Sequence, residues 1–355
     1  MEKNKLNQFK TQLLKNLSLG YTLARTGHFS TQGRLLPLID RIATGEKRDP
    51  PEQLAAHLQQ ALKKILVLHK KDSQNIADGF YPIDVLYPEN PFKHAFRYPS
   101  ILLDAYRASK RRKEKISNDF LPESEQFLNE LPEYYKRNFH FQTGGYLTDI
   151  SAELYEHQVE ILFSGAADAM RRLLIPQLKV HFQGSDGEGL NFLEVASGTG
   201  RFTKFLALAF PKATITCVDL SFNYLAKAKT NLSDFKRINF LQGAAEKLPF
   251  QKSSYDAVVS CFMFHELPEH IRNEVVKAGM DVLKAGGLYG LVDSLQKNDD
   301  ADFEWALKQF PMDFHEPFYK NYVDHPLEAL LEDSGLKNVQ SEVGFLSKAI
   351  SGVKS

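Results

Sequence analysis

Short apolar runs alternate with amphipathic helical segments from about residue 190 onward. The runs are rich in Val, Ile, Leu and Phe, and their length fits buried strands better than helices. We expect strands at residues 191–195, 213–219, 237–242, 255–262, 287–293, 337–342 and 344–350. Because strands that alternate with helices form a parallel sheet covered on both faces, this half is predicted to have an α/β, doubly wound fold.

The pattern before residue 190 is mostly helical. In the segment 54–68, which follows Pro50 and Pro51, apolar residues lie three and four positions apart, as on one face of a helix. The other elements predicted here are helices at 101–106 and 127–135, an ordered aromatic and proline-rich loop at 80–99, and a long amphipathic helix from 150 to 174 that Pro176 ends. We expect two domains, a mostly helical one at 1–140 and a second at 141–355.

Composition narrows the functional classes. The formal net charge of zero argues against a broad nucleic-acid footprint. No run of about 18 apolar residues is present, so no membrane span is expected, and the polar start lacks the apolar stretch of a signal peptide. The two cysteines, Cys217 and Cys261, lie in predicted strands, without the spacing of a metal site or a disulfide framework. We expect a cytoplasmic protein without a bound metal.

Two basic clusters are expected at the surface. Residues 110–113 (Lys-Arg-Arg-Lys) are predicted to be the solvated end of a helix, with contact to an anionic surface as the alternative. Arg171 and Arg172 are predicted to form surface ion pairs, with contact to an anionic substrate group as the alternative.

The stretch 192–203 is the most informative of the chain. A short apolar run ends at the acid Glu194, a turn of small residues follows up to Gly200, and a helical pattern then begins. Small residues let the backbone approach a ligand closely, and a helix start offers free N–H groups. The next predicted strand ends in Asp219, where a doubly wound fold places the carboxylate that accepts ribose hydroxyls. A helix cap is the alternative role for Asp219.

Two classes of nucleotide site share this layout. A dinucleotide site usually keeps a third small residue after the second glycine, where this chain has Thr203. The spacing of Glu194, Ala196, Gly198 and Gly200 instead resembles motif I of class I S-adenosylmethionine-dependent methyltransferases, which is an acid followed by three alternating glycines. Alanine at the first glycine position is expected to fit if its φ angle is negative.

The resemblance continues in order along the C-terminal half. Four later segments resemble motifs of the same family: Asp219-Leu220-Ser221 the ribose motif, 242–250 the adenine loop of the ubiquinone/menaquinone-biosynthesis-like branch, 255–260 the fourth strand, and 283–288 the turn before the fifth. The resemblance implies a seven-stranded Rossmann-like sheet with an antiparallel last strand, and S-adenosylmethionine as the cofactor. Residues 1–140 resemble no module that we can name.

The resemblance also implies which residues contact the cofactor. Glu194 would fix the turn on the methionine side, Asp219 would hold the ribose, and the loop at Glu246 would hold the adenine. The full set is Glu194, Ala196, Ser197, Gly198, Gly200, Asp219, Leu220, Ala244, Ala245, Glu246 and Cys261. Ala244 departs from the family, which usually has an aspartate there. Either Glu246 or Gln242 would replace that carboxylate, or adenine would rely on backbone groups and apolar packing.

The acceptor side has weaker signals. His265 follows the fourth predicted strand and is the best candidate for a general base, because imidazole titrates near working pH. The alternative is a histidine that only packs at the strand end. The predicted substrate contacts are Phe264, Tyr146 in the turn before the long helix, and His315 and Tyr319 in an aromatic insert after the fifth strand. For the insert, packing onto the sheet is the alternative.

These observations predict an enzyme that transfers a methyl group to a small organic acceptor, lipophilic or aromatic in character. Residues 260–263 (Ser-Cys-Phe-Met) differ from the Asn/Asp-Pro-Pro-Tyr/Phe motif of enzymes that methylate exocyclic amines of bases, which argues against a nucleic-acid substrate. Three alternatives stay open: an NAD-type oxidoreductase, a non-catalytic S-adenosylmethionine-binding module with a protein- or lipid-recognising N-terminal part, and an RNA or protein methyltransferase. The methylated atom and the oligomeric state also stay open.

Overall fold

A seven-stranded sheet forms the centre of the structure. The computed structural model describes residues 2–47, 53–87 and 91–355. The strands are β1 (Asn191–Val195), β2 (Thr214–Asp219), β3 (Ile238–Gln242), β4 (Tyr255–Cys261), β5 (Leu283–Ser294), β6 (Leu336–Gly344) and β7 (Ser347–Lys354). Their order is β3-β2-β1-β4-β5-β7-β6, and β7 runs antiparallel to both of its neighbours. The predicted doubly wound sheet with an antiparallel last strand is confirmed.

Helices precede the sheet and connect its strands. They are α1 (Glu2–Gly33), α2 (Leu36–Thr44), α3 (Leu54–Ala77), α4 (Pro91–Glu114), α5 (Pro122–Leu128), α6 (Asp149–Leu162), α7 (Ala167–Arg171), α8 (Leu174–His181), α9 (Arg201–Ala209), α10 (Phe222–Asn231), α11 (Glu269–Val282), α12 (Glu304–Asp313), α13 (Tyr319–Asp324) and α14 (Leu327–Asp333). None of the described helices is both long and apolar enough to cross a membrane.

The chain order reverses at β1, and this position matters for function. Strand β1 pairs in parallel with β2 on one side and with β4 on the other. Phe192, Leu193 and Val195 are buried there, because helices cover both faces of the sheet. In such sheets, ligands bind in the crevice outside the carboxyl ends of the strands where the order reverses.

The prediction of a single long helix at 150–174 is wrong. The segment forms three shorter helices, α6, α7 and α8. The first break follows α6, where Ser164 and Gly165 both have positive φ angles, a conformation that ends an α-helix. Pro176 does not end a helix, contrary to the prediction. It lies in the first turn of α8, where the missing N–H of proline has no helical acceptor to lose.

The prediction of a loop at 80–99 is also wrong for much of this segment. Helix α4 begins at Pro91 and continues through Pro99, and a short 3₁₀ turn occupies 83–86. The helix persists past its proline because Ile101 packs in a small apolar cluster with Phe29 of α1. The helix expected at 127–135 is two elements, α5 and a 3₁₀ turn at 133–135, separated at Pro132. Pro50 and Pro51 lie outside the described residues.

Three of the six basic residues expected at the surface, Arg111, Arg171 and Arg172, are buried, whereas Lys110 and Lys113 are exposed at the end of α4 as predicted. Arg172 is 2% exposed and forms a two-bonded pair with Asp72 of α3, its Nε and Nη2 atoms lying 2.8 and 2.6 Å from the carboxylate oxygens. Arg171 is 3% exposed and pairs with Glu156 of α6 at 3.0 Å. In the 110–113 cluster, the buried Arg111 donates to the carbonyl of Phe141. The sequence alone does not show which basic residues of a cluster contact buried carboxylates or carbonyl groups.

The N-terminal helices share an apolar core with the sheet. Ile65, Leu68 and Ile76 of α3 belong to the same buried cluster as the central strands. The pair between Asp72 and Arg172 lies at this junction and links α3 to the segment that leads into β1. Residues before 140 therefore pack directly against the part of the chain that carries the sheet.

Candidate functional site

A cavity opens at the carboxyl ends of β1, β2 and β4. Of the cofactor residues predicted from sequence, it is lined by Glu194, Ala196, Ser197, Gly198, Asp219, Leu220, Ala245, Glu246 and Cys261. Its remaining walls come from the segment 134–156, from α7 and α9, and from the turn after β4. The structure thus brings residues that lie far apart in the sequence to one side of the sheet.

Glu194, the acid at the end of β1, is buried in the cavity wall. Its Oε2 accepts a hydrogen bond of 2.6 Å from the hydroxyl of Thr203 in α9. Burial raises the pKa of Glu194 to about 8, the nearby Asp219 charge adds to the rise, and the Thr203 hydrogen bond opposes it. The carboxyl of Glu194 is therefore a weaker acid than that of an exposed glutamate.

The turn after β1 adopts a conformation that the sequence did not predict. Ala196 has a φ angle of +54°, so the expectation of a negative φ is wrong. The strand must reverse here to bring the next N–H groups toward the cavity, and an alanine in this left-handed region costs about 1 kcal/mol or more. Gly200 does not line the cavity. A Cβ atom there would lie 2.5 Å from Leu232, so this glycine permits helix packing.

The strain at Ala196 gives a stability prediction. We expect Ala196→Gly to raise the free energy of unfolding by about 0.5–1 kcal/mol, because relief of the left-handed strain exceeds the entropy that glycine adds to the unfolded chain. Urea denaturation measures this change. Ala226→Gly, in helix α10, is the matched control and should lower stability by roughly the same amount. Equal losses in both variants would contradict the strained turn.

Asp219, at the end of β2, is held with its carboxylate facing the cavity. Its Oδ2 accepts from the backbone N–H of Gly198 at 2.7 Å, and its Oδ1 accepts from the N–H of Ser221 at 2.8 Å. Burial raises the pKa of Asp219 to about 6, with a further rise from the Glu266 charge, while the two backbone hydrogen bonds oppose the shift. Each carboxylate oxygen keeps a lone pair for a second donor.

Residues of the loop after β3 line two neighbouring cavities. Gly243, Ala245 and Glu246 line the main cavity, and the Glu246 carboxylate accepts a hydrogen bond of 2.9 Å from the Tyr134 hydroxyl. Ala244 and Gln242 line the neighbouring cavity instead, to which Gly243 and Glu246 also contribute. Of the two residues considered as replacements for the missing aspartate, only Glu246 presents a carboxylate to the main cavity.

The predicted acceptor residues divide into two groups. Tyr146 lines the cavity, and its hydroxyl donates to Glu266. His265, Phe264, His315 and Tyr319 are not part of the wall. Phe264 and Tyr319 are buried in the core. His315 packs its ring against Phe141, with centroids 5.5 Å apart.

His265 braces the turn after β4. Its Nδ1 lies 2.6 Å from Oδ1 of Asp293 in β5, and the other carboxylate oxygen of Asp293 accepts from the N–H groups of Met263 and Phe264. Burial alone would lower the pKa of His265, but the charge of Asp293 raises it to about 9. The ring thus faces Asp293 and helps to fix the turn, outside the wall of the cavity.

Sequence reasoning missed several residues of the wall. They are Tyr134, Tyr135, Phe139, Tyr155, Glu156, Thr199, Arg201, Phe202, Tyr224, Gly243, Phe262, Met263, Glu266 and Leu267, and Arg171 also belongs here although it was placed at the surface. The aromatic spacing of the segment 134–141 was the available signal, because aromatic residues cluster there ahead of a glycine turn. Glu266 directly follows His265, the residue that the sequence favoured as a base.

Glu266 belongs to a cluster of three titratable side chains, together with His140 and Glu316. The Nε2 of His140 lies 3.4 Å from Oε1 of Glu266, and its Nδ1 lies 3.0 Å from Oε1 of Glu316. Burial opposes the charged ring, but the two carboxylates, Glu316 foremost, raise the pKa of His140 to about 10. The imidazolium form, with a proton on each nitrogen, matches a carboxylate on each side of the ring.

Comparison with known proteins agrees with this site. A family model described as a methyltransferase domain matches residues 192–287, which span the turn after β1, Asp219, the loop at Glu246 and the turn after β4. This part of the chain is similar to a methyltransferase domain. A demethylmenaquinone methyltransferase from Lactococcus lactis is 38% identical over 105 residues, which are 29% of this chain and 41% of that protein. A fatty-acid O-methyltransferase from Mycolicibacterium smegmatis is 29% identical over 166 residues, 46% of this chain and 52% of its own length.

These two relatives each match less than half of this chain. The chain spans about half the length of the curated relatives that it matches. A solved structure of an S-adenosylmethionine-dependent methyltransferase from Aquifex aeolicus is 20% identical, with a TM-score of 0.40 over 53% of this chain and 95% of that one. The fold assignment therefore relies on the strand order and the family match.

Proposed function

We propose that the protein transfers a methyl group from S-adenosylmethionine to a small organic acceptor. The observation that carries this proposal is Asp219. Its carboxylate faces the cavity at the end of β2, is fixed by two backbone N–H groups, and retains lone pairs for two ribose hydroxyls. The turn at Gly198 also leaves room for a ligand, because a Cβ atom there would meet only Tyr224, at 4.0 Å.

Each cavity residue has a defined task in this proposal. Asp219 holds the ribose, Glu194 holds the methionine-side turn, and the backbone at Ala245 with the Glu246 carboxylate faces the adenine. The sulfonium of the cofactor supplies an already activated methyl group, so the protein mainly aligns the reacting atoms. The aromatic residues of the segment 134–155 bound the remaining space, which supports a role for the region before residue 140 in building the acceptor pocket.

A binding measurement tests the proposal. Calorimetric titration of the protein with S-adenosylhomocysteine should give micromolar affinity, while NAD under the same conditions should give none. The distinction follows from Thr203, which takes the place of the third small residue of a dinucleotide site. Binding of NAD without binding of S-adenosylhomocysteine would favour the oxidoreductase alternative and reject the proposal.

The raised pKa of Asp219 predicts how this binding depends on pH. Below about pH 6 the carboxyl is protonated and loses acceptor capacity for hydroxyl donors, so affinity should fall as the pH falls. From pH 7 to pH 5 we expect a loss of about tenfold in affinity for S-adenosylhomocysteine, since one pH unit below the pKa leaves about a tenth of the groups ionised. In Asp219→Asn the affinity should be lower and nearly constant over this range. A parallel pH dependence in the variant would assign the effect to another group.

A further inference from the structure

Two further carboxylates line the cavity besides Glu194 and Asp219. Glu266 follows β4, and Glu246 follows β3; both line the cavity and accept from tyrosine hydroxyls, Glu266 from Tyr146 and Glu246 from Tyr134. Among the described residues, no lysine or arginine forms an ion pair with either of them, whereas Arg171 in the same wall is paired with Glu156. The part of the cavity wall that Glu246 and Glu266 form is therefore negatively charged.

The nearest cation does not neutralise this charge. His140 lies between Glu266 and Glu316, so one imidazolium serves two carboxylates. Glu316 has a fully buried side chain, and neither of its oxygens makes a hydrogen bond within the described residues. The buried Glu316 thus competes for the His140 charge, and His265, whose Nε2 lies 4.0 Å from Glu266, is itself paired with Asp293. Since the two carboxylates approach opposite nitrogens of the ring, the arrangement fits a shared imidazolium and not a metal ion, which would take one nitrogen.

Aromatic rings form the rest of this wall. Tyr146 is at the centre, with Phe139 stacked on it at 5.3 Å between ring centroids and Tyr155 edge-on at 5.9 Å. Tyr135 also belongs to the wall, and its ring centroid lies 6.1 Å from that of Tyr146. Faces of aromatic rings attract cations, and attraction is stronger where water is excluded. Carboxylates together with aromatic faces are the surroundings that stabilise an ammonium group.

We propose that the acceptor is an amine that binds as its ammonium ion against Glu266 and the aromatic wall, and that Glu266 takes its proton. This inference rests on the proposed methyl transfer and specifies its acceptor class. A carboxylic acid acceptor is disfavoured, because its charge would repel Glu246 and Glu266.

The proton step balances without another reactant. One N–H bond of the ammonium breaks, and the proton forms an O–H bond with the Glu266 carboxylate. The electron pair stays on nitrogen and forms the new N–C bond as the C–S bond of the sulfonium breaks, and sulfur keeps that pair. The product is an N-methylated ammonium ion beside neutral S-adenosylhomocysteine. Glu266 is thus assigned as a catalytic residue, and His140 as a positioning residue behind it.

Sinefungin tests the negative wall without knowledge of the acceptor. In this analogue a CH group that bears an amine replaces the sulfonium sulfur and its methyl group, and the adenosine and amino-acid ends are the same as in S-adenosylhomocysteine. By calorimetry at pH 7.5, we expect the wild-type protein to bind sinefungin at least 10-fold more tightly than S-adenosylhomocysteine. In Glu266→Gln the ratio should fall to about 1–2, with affinity for S-adenosylhomocysteine within threefold of wild type. Glu188→Gln, at an exposed loop position, is the matched control and should keep the wild-type ratio.

A second measurement needs no variant. With S-adenosylhomocysteine bound, phenethylammonium at millimolar concentration should raise the melting temperature of the wild-type protein, whereas 3-phenylpropionate, with a similar ring and chain, should not. A preference for the carboxylate, no effect of either ion, or an unchanged sinefungin ratio in Glu266→Gln would overturn the amine assignment and leave the proposed methyl transfer intact. Failure of wild type to bind S-adenosylhomocysteine at all would instead reject the methyl transfer itself, and the amine assignment with it.

Discussion

Asp219→Ala should weaken the binding of S-adenosylhomocysteine by at least about 100-fold. The substitution removes two charge-assisted hydrogen bonds to ribose hydroxyls, and such bonds contribute about 1.5–3 kcal/mol each. It also frees the N–H groups of Gly198 and Ser221, which Asp219 holds in place. Calorimetric titration of the variant beside the wild-type protein measures the loss.

The control for this prediction is another aspartate of the same domain. Asp234 lies exposed in the turn after α10, and Asp234→Ala should bind S-adenosylhomocysteine as the wild type does. The melting temperature of each variant separates lost affinity from lost folding. If Asp219→Ala binds within threefold of wild type while remaining folded, Asp219 does not hold the ribose, and its role reduces to capping the turn at Ser221.

Asp72→Asn should lower the free energy of unfolding by about 3–5 kcal/mol. Arg172 is almost fully buried and has both nitrogen contacts on this carboxylate, so the variant leaves a buried guanidinium without its counter-charge. The hydroxyl of Tyr81, which donates to Asp72 at 2.7 Å, loses a charged acceptor as well. Urea denaturation followed by circular dichroism measures the change in the main transition.

This second prediction also tests how the N-terminal helices relate to the sheet. Asp78→Asn, at the exposed end of the same helix α3, is the matched control and should change stability by less than about 0.5 kcal/mol. In the double variant Asp72→Leu/Arg172→Leu much of the loss should be recovered, since no buried charge remains. A separate early transition in Asp72→Asn, with the main one unchanged, would mean that the N-terminal helices unfold independently of the sheet.

The strands and the cofactor turn could be predicted from the sequence because their signals are local. A buried strand in a parallel sheet is a short apolar run, as at β1, β2 and β4, and each of the seven predicted segments corresponds to a strand in the structure. The sequence from Glu194 to Gly200 and the acid at Asp219 sit at the ends of such runs, so their place at one edge of the sheet follows from strand direction alone. The left-handed conformation of Ala196 had no such local signal, because alanine usually avoids it.

The acceptor side could not be predicted because its contacts are not local. Tyr146 reaches Glu266 across 120 residues, and His140 reaches Glu316 from a separate turn. His265 was the reasonable candidate for a base by residue type, yet its ring faces Asp293 of the neighbouring strand β5 and the adjacent Glu266 faces the cavity. A shift of one position along the chain decides which side chain faces the cavity, and the turn is held by hydrogen bonds that the N–H groups of Met263 and Phe264 donate to Asp293.

A crystal structure of the protein grown with saturating S-adenosylhomocysteine tests the central claim most directly. The ligand should lie at the carboxyl ends of β1, β2 and β4, with its ribose hydroxyls on Asp219 and its sulfur toward the wall that contains Glu266. A ligand bound elsewhere, or a well-ordered protein whose cavity stays empty at saturation, would contradict the assignment of this cavity as the cofactor site.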